Sequence, residues 1–332
     1  QTHSTKVTRP RVNQFGRILP PSSSSNEMAK LLGGKQISAD ILQELREQID
    51  EWKQQAGHRA PQLTTILAGE DPSSIIYVKE IIKVAANVGV QVQQSSFRKD
   101  VKEGDLLEHI KALNGDDTVD GILVLLPLPE HINERNVCNS VSCDKDVDGL
   151  NERTIGRLCL DMDTLTPCTP LAVKELIERS GIETFGKNAV VVGRSKNVGM
   201  PIAMILHTDG RHDSRGMDAT VTICHRFTPP EELVRFCRSA DIIVTATGVP
   251  GLIKADMVKQ GASIIDVGLT YVKDPVTGRN KWVGDVDFEE VRQVAGNITP
   301  VPGGVGPITV AMLLKNTFIA AQNLACKINK QE

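Results

Sequence analysis

The sequence predicts an α/β fold in two domains, closed by a C-terminal helix. Three observations carry that expectation. Apolar runs of strand length alternate with segments of helical period twice over, between residues 62 and 128 and again between 187 and 268. A glycine turn, GRSKNVG at 193–199, joins a run of valines to an apolar helical stretch. A second, rigid turn, Pro-Val-Pro-Gly-Gly-Val-Gly-Pro at 300–307, stands directly ahead of the last apolar helix.

The elements follow in order from about Met28. Ile41, Leu42, Leu45 and Ile49 recur at helical spacing between Ser38 and Trp52, with Ser38 and Asp40 available at the start. QLTTILAG at 62–69 reads as a strand, Tyr77 to Val88 as a helix, VQVQQSSF at 90–97 as a strand, Gly104 to Leu113 as a helix and DGILVLLPL at 120–128 as a buried parallel strand. After a helix around Ala172–Arg179, KNAVVVG at 187–193 leads into a helix at 199–207. ATVTICH at 219–225 leads into a helix at 230–238, and strands follow at 240–248 and 262–268. The closing helix, Ile308–Lys327, is expected to pack back on the first half and clasp both domains.

Composition narrows the function classes. A length of 332 residues suits about two domains with a sizeable core. A net charge of −3 and an aromatic share of 3% disfavour nucleic acid as a partner. No apolar run approaches the roughly 18 residues that a membrane span needs. The seven cysteines (Cys138, Cys143, Cys159, Cys168, Cys224, Cys237 and Cys326) form no zinc spacing and are expected to be reduced, buried and apolar in role. Residues 1–27 include Lys6, Arg9, Arg11, Arg17 and the serine run Ser22–Ser25, and 1–26 hold no acidic residue; the tail reads as a transit peptide or a disordered segment.

The turns carry the chemistry. In 300–307 the prolines fix the backbone and Gly303, Gly304 and Gly306 remove side chains beside it, so main chain can lie against a planar ligand. In 193–199, Gly193 and Gly199 bracket a strand-to-helix turn whose free N–H groups suit phosphate, although a plain connection has the same outline. His225 and Arg226, with Asp218 ahead of them, stand where a dinucleotide-binding domain ordinarily presents an acid to ribose; arginine there suits an extra phosphate, and a solvated turn is the bland reading. Thr247-Gly248 and Gly268 end two further strands on the ligand side of such a sheet. In the first domain Ser73, Ser74 and Tyr77 open a helix near Leu126-Pro127-Leu128 and the turn KDVDG at 145–149; Tyr77 could equally be a core tyrosine and Asp148 a turn cap.

GRSKNVGMPIAMILHTDG at 193–210, DATVTICHRFTP at 218–229, VGDVDF at 283–288 and ITPVPGGVGPITVAMLLKNT at 298–317 together give a sequence that resembles the methylenetetrahydrofolate dehydrogenase/cyclohydrolase family, in its mitochondrial NAD-using branch. The resemblance runs from about residue 28 to 325. It implies a folate-binding catalytic domain at 28–150, completed by 308–328, and a Rossmann-like NAD(P)-binding domain at 171–307. It also implies a homodimer in the mitochondrial matrix acting on tetrahydrofolate derivatives. NAD would take a hydride from 5,10-methylenetetrahydrofolate, and water would then open the methenyl product to 10-formyltetrahydrofolate. Tyr77 would stack on the folate and Asp148 would bond the pterin, with Leu126, Pro302, Gly303 and Gly306 as further folate contacts. Gly193, Arg194, Ser195, Val198, Gly199, His225, Arg226, Thr247, Gly248 and Gly268 would hold NAD. Arg194 and Arg226 would also hold inorganic phosphate, with Asp218 on Mg2+.

The resemblance fails around one site. The family has lysine four residues after the tyrosine, where this chain has Ile81; Lys79 and Lys83 fall at helix angles that turn them away from Tyr77. The family has glutamine before Leu-Pro-Leu, where this chain has Leu125. The turn after Asp-Val-Asp-Gly reads NERT at 151–154. An amine beside an apolar or amide neighbour can act near neutrality, and neither Ile81 nor Leu125 can replace it. Hydrolysis is therefore expected to suffer more than hydride transfer, which rests on alignment. A non-catalytic folate- and dinucleotide-binding protein is the second reading. A shikimate-type dehydrogenase is the third, and it lacks the 300–307 turn.

Overall fold

The structure is a computed structural model described for residues 28–55, 58–211, 213, 216–273 and 278–328. The transit-like tail at 1–27 lies outside the described residues. In chain order the elements begin β1 (Lys30–Leu31), α1 (Gly34–Gln54), β2 (Gln62–Ala68), α2 (Pro72–Val88), β3 (Gln91–Phe97), α3 (Glu103–Asn114) and β4 (Gly121–Val124). Then come α4 (Glu134–Ser140), α5 (Glu152–Cys159), α6 (Cys168–Arg179), β5 (Asn188–Val192), α7 (Gly199–His207), β6 (Thr220–Cys224), α8 (Pro230–Ser239) and β7 (Ile242–Thr245). The chain ends with β8 (Ser263–Asp266), β9 (Thr270–Lys273), β10 (Asn280–Val283), α9 (Phe288–Val291), β11 (Asn297–Ile298) and α10 (Val305–Ile328).

The first sheet runs β3-β2-β4, all parallel, with Leu63 beside both Val92 and Gly121. Parallel strands need both faces covered, and the buried Leu63, Ile66, Ile122 and Leu123 answer that need. Helix α2 starts earlier than its apolar period suggests. Asp71 caps it by accepting the Ser74 N–H at 2.8 Å, and Gly89 ends it in the left-handed region at φ 83°. Strand β4 is shorter than expected. Leu125 still donates its N–H to the Ile66 carbonyl at 2.9 Å, but Pro127 has no N–H to continue the ladder, and Leu126-Pro127 turns out over the cleft.

The second sheet has the order β1-β11-β8-β7-β5-β6. Strand β5 is next to the edge, with β6 on one side and β7 on the other, so the direction of winding reverses there and ligands are favoured at its C-terminal end. Lys30 and Leu31, expected in the first domain, instead pair with Asn297 and Ile298 at the far edge of this sheet. Leu32 extends the pairing by donating its N–H to the Ile298 carbonyl at 2.8 Å, and Gly33 and Gly34 then let the chain leave the sheet and begin α1 at once.

Helix α10 starts at Val305, before the expected Ile308, because Gly306 and Pro307 are acceptable in a first helical turn. Its Ile308, Ala311, Met312, Leu313 and Leu314 are wholly or nearly wholly buried, and it packs against α6, α1 and α2. Asn316 on α10 donates to the carbonyls of Val147 and Thr166, each at 2.9 Å, and so ties this helix to the chain between the two sheets. Helices α4 and α5 and the hairpin β9/β10 had no clear sequence period; α4 and α5 are seven and eight residues long, too short for the apolar repeat to show. Of the cysteines, Cys138, Cys168, Cys224 and Cys237 are buried as expected, whereas Cys143 is half-buried and Cys159 and Cys326 are exposed; all seven are free thiols.

Candidate active site

A cleft of about 940 Å³ opens between the two sheets. Tyr77, Leu126 and Asp148 line it from the first unit, Val198 and Gly268 from the second, and Pro302, Gly303 and Gly306 from the turn before α10. Residues separated by more than 200 positions thus share one wall. Their convergence follows from local contacts. Ser74 places its hydroxyl 3.2 Å from the Leu126 carbonyl, fixing the start of α2 to the turn after β4. The N–H of Gly34 donates to the Gly303 carbonyl at 2.9 Å and the Ser38 hydroxyl to the Pro307 carbonyl at 2.9 Å, which seats the start of α1 on the glycine turn.

The glycines of that turn do different work. A Cβ on Gly304 would meet the Pro300 carbonyl oxygen at 2.7 Å and Thr299 Cβ at 2.8 Å, so this position is closed by the protein itself. A Cβ on Gly306 would meet nothing within 4 Å and would project into the cleft. Gly303, at φ 108°, holds a backbone conformation that side chains disfavour.

Tyr77 and Asp148 face each other across the floor. Burial pushes the Asp148 carboxyl up to about 7, helped by the charge of Asp146 and eased by the Cys168 thiol. Burial likewise holds the Tyr77 phenol well above its usual value, with Asp148 adding to the effect. Cys168, Asn316, Lys35, Asp266 and Trp282 complete or support this region and were not singled out from sequence. Trp282 reaches the cleft from β10, part of a hairpin without a sequence signal.

On the second unit, Gly193 sits at φ 135°, and a Cβ there would meet the Ala246 carbonyl oxygen at 2.5 Å, where the loops after β5 and β7 meet. The Ser195 hydroxyl accepts the N–H groups of Val198 and Gly199, each at 3.2 Å, and closes the turn into α7. Arg194 and Arg226 both lie over one exposed ring, Phe227, at 5.6 and 5.0 Å from its centroid. The His225 ring accepts the Phe227 N–H at 3.2 Å and belongs to the same turn. Beneath the next two turns lie two buried carboxylates. Asp285 accepts from Thr245 and twice from Thr247, and Asp266 accepts the N–H groups of Gly268, Asp285 and Val286.

Two family models match the chain: the catalytic domain of tetrahydrofolate dehydrogenase/cyclohydrolase over residues 32–148 and its NAD(P)-binding domain over 167–325. The chain belongs to the tetrahydrofolate dehydrogenase/cyclohydrolase family. Among its relatives, a mitochondrial bifunctional methylenetetrahydrofolate dehydrogenase/cyclohydrolase of Drosophila melanogaster is 55% identical over 298 residues, 90% of this chain and 96% of that protein. The mitochondrial bifunctional enzyme 2 of Homo sapiens is 54% identical over 303 residues, 91% of this chain and 87% of that protein. A solved 5,10-methylenetetrahydrofolate dehydrogenase from the silkworm Bombyx mori superposes with a TM-score of 0.85 at 54% identity, covering 90% of this chain and 99% of that one.

Against the pattern of this tetrahydrofolate dehydrogenase/cyclohydrolase family the departures are now spatial. Ile81 is fully buried among Leu45, Ile49, Val78 and Ala85 and does not line the cleft. Leu125 does line it, as an apolar wall. Lys79 and Lys83 are exposed, with Lys83 3.7 Å from Glu80, so neither amine replaces the missing one. Asn151, which opens the unusual NERT turn, caps α5 and binds the carbonyls of Asn139 and Val141.

One expected grouping does not form within the chain. Asp218 precedes β6 while Arg226 follows it, and the Asp218 carbonyl bonds Gly186 at the N-terminal edge of the sheet. Seven residues of mostly extended chain separate Asp218 from Arg226, on the order of 20 Å. The parallel sheet places the two at opposite ends. Among the described residues no group of three or more His, Cys, Asp or Glu could hold a metal ion.

Proposed function

We propose that this chain oxidises 5,10-methylenetetrahydrofolate with NAD in the mitochondrial matrix, and that its hydrolysis of the methenyl product is slow. The supporting observation is the single cleft in which Tyr77 and Asp148, the Pro302–Gly306 backbone and the Val198 and Gly268 turns face one another. NAD bound along the second sheet would supply the hydride acceptor. The chain's residues orient the reaction: Tyr77 offers a ring face to the pterin, Asp148 accepts from its N–H groups, and bare backbone at Gly303 and Gly306 lets the pteridine lie flat. The methylene carbon gives up a hydride with its electron pair, and the bridge is left as a cation shared by its two nitrogens.

Arg194 and Arg226, paired over Phe227, fit an anion beside the adenosine ribose, and inorganic phosphate there would let NAD serve in place of a cofactor carrying its own extra phosphate. Asp218, the expected magnesium ligand, stands at the opposite edge of the sheet from Arg226, so magnesium has no step in this account. A homodimer through the second unit belongs to the same reading. Hydrolysis needs a proton carrier beside the attacked carbon, and Ile81 and Leu125 supply none. The decisive assay mixes purified protein with NAD, phosphate and methylenetetrahydrofolate and follows NADH and the methenyl chromophore together. NADH formed with accumulation of methenyl product is expected. A flat NADH trace with demonstrable NAD and folate binding would overturn the oxidoreductase reading in favour of a binding protein.

A further inference from the structure

Loss of hydride changes the charge of the bound folate bridge from zero to plus one, so the charges around the cleft decide which form is held more tightly. The charged side chains lining the cleft among the described residues are Lys35, Asp71, Glu80, Asp148 and Asp266. They are not equivalent. Asp71 is engaged in capping α2 and Asp266 in binding three backbone N–H groups. Glu80 stands at the exposed lip, and Lys35 lines the cleft at the glycine turn, with its Cε 3.7 Å from where a Cβ on Gly303 would be. The floor itself carries the carboxyl of Asp148 and is otherwise walled by Tyr77, Leu123, Val124, Leu125 and Val310. No ammonium or guanidinium is among the charges that act on Asp148.

Resting on the folate reading above, we propose that this cleft selects the cationic methenyl form of the substrate over neutral tetrahydrofolates, so that the oxidised product is retained. Cation and carboxylate attract, and Lys35 at the glycine turn is the one basic side chain that lines the cleft among the described residues, against four carboxylates. The groups facing Asp148 are Tyr77 from α2, Asp146 from its own loop and Cys168 from α6, none of them positive. A bound cation would therefore draw Asp148 into its ionised form, and the preference should strengthen as pH rises through about 7.

The test is a rapid-mixing measurement of Kd, without cofactor, for 5,10-methenyltetrahydrofolate and for neutral-bridged tetrahydrofolate. At low salt the methenyl form should bind about tenfold more tightly or better, and the gap should narrow as salt screens the open cleft. Ile81→Lys should cancel the preference and Ile81→Met should keep it. Because residue 81 lies in the core, Glu80→Lys at the exposed lip serves as a second variant and should reduce the ratio about two- to fivefold. Equal affinities in the unaltered protein, or a ratio indifferent to both salt and Glu80→Lys, would overturn the inference while leaving the folate reading standing. Failure of either folate to bind would remove both.

Discussion

Asp285 is wholly buried and its Oδ2 accepts both the backbone N–H of Thr247, at 2.6 Å, and the hydroxyl of the same residue, at 2.8 Å. The same oxygen accepts the Thr245 hydroxyl at 2.8 Å. One carboxylate thus shapes the turn between β7 and the cleft edge. Its other oxygen has no partner and lies beside Gly268. Asp285→Ala would strand three donors, each costing about 1–3 kcal/mol. It should lower Tm and weaken NAD at least about tenfold while leaving folate affinity within about twofold. Asp285→Asn keeps an acceptor in place and should recover most of the loss. Calorimetric titration with each ligand checks the split.

Restoring the amine tests why hydrolysis is expected to be slow. The double variant Ile81→Lys, Leu125→Gln should raise cyclohydrolase turnover, measured by decay of methenyl absorbance. Ile81→Lys alone places a charge in an apolar core, so it should destabilise by roughly 2–4 kcal/mol unless the side chain reaches the cleft. No gain in the double variant would refute the role assigned to these two positions.

Asp148 sets a pH dependence. Its folded carboxyl lies at about 7, above the usual value near 4 for an unfolded aspartate. The folded state therefore binds the extra proton between those limits, and stability falls as pH rises from about 4 to 7, by at most about 4 kcal/mol. Asp148→Asn should flatten that slope in denaturant titrations at several pH values. An unchanged slope would place the proton elsewhere.

Two glycines two positions apart separate folding from binding. Gly304→Ala drives a Cβ against Pro300 and Thr299 and should cost about 1–3 kcal/mol. Gly306→Ala meets no protein atom within 4 Å, lies in the first turn of α10 and should leave Tm unchanged or slightly raised. Its methyl group enters the cleft, so folate Kd should rise about tenfold or more. Thermal melts and folate titrations on the two variants should rank them in opposite order.

Arg194→Ala and Arg226→Ala should each remove stimulation of NAD binding by inorganic phosphate. A cation over a ring at 5.0 to 5.6 Å also contributes packing, so Phe227→Ala is the companion variant. Retained phosphate stimulation in either arginine variant would exclude that pair as the anion site.

Much of the fold was legible because long elements repeat their apolar residues with a clear period. Helix α1 and strands β2 and β5 fall where the spacing of Ile41, Leu45 and Ile49 or the run Val190 to Val192 places them. Helices α4 and α5 escaped because seven or eight residues hold too few turns to show a period. The cysteines divide by burial in a way their scattered spacing could not show. Asp218 and Arg226 are neighbours in sequence terms, yet a parallel strand carries them to opposite edges, and only the sheet direction reveals that.

By itself the sequence determined the family and the positions of its two glycine turns, since backbone that must approach a flat ligand or a phosphate tolerates few residue types. It also displayed the exchange of lysine and glutamine for Ile81 and Leu125. Tertiary structure alone decided what those exchanges mean. Isoleucine is too short to leave the core between α1 and α2, so the cleft floor holds a carboxyl without a counter-charge. Likewise only the packing of α1 against Gly303 and Gly304, and of Asp285 beneath Thr247, shows which residues hold the two ligand surfaces face to face. Such contacts join positions hundreds of residues apart, and no local pattern encodes them.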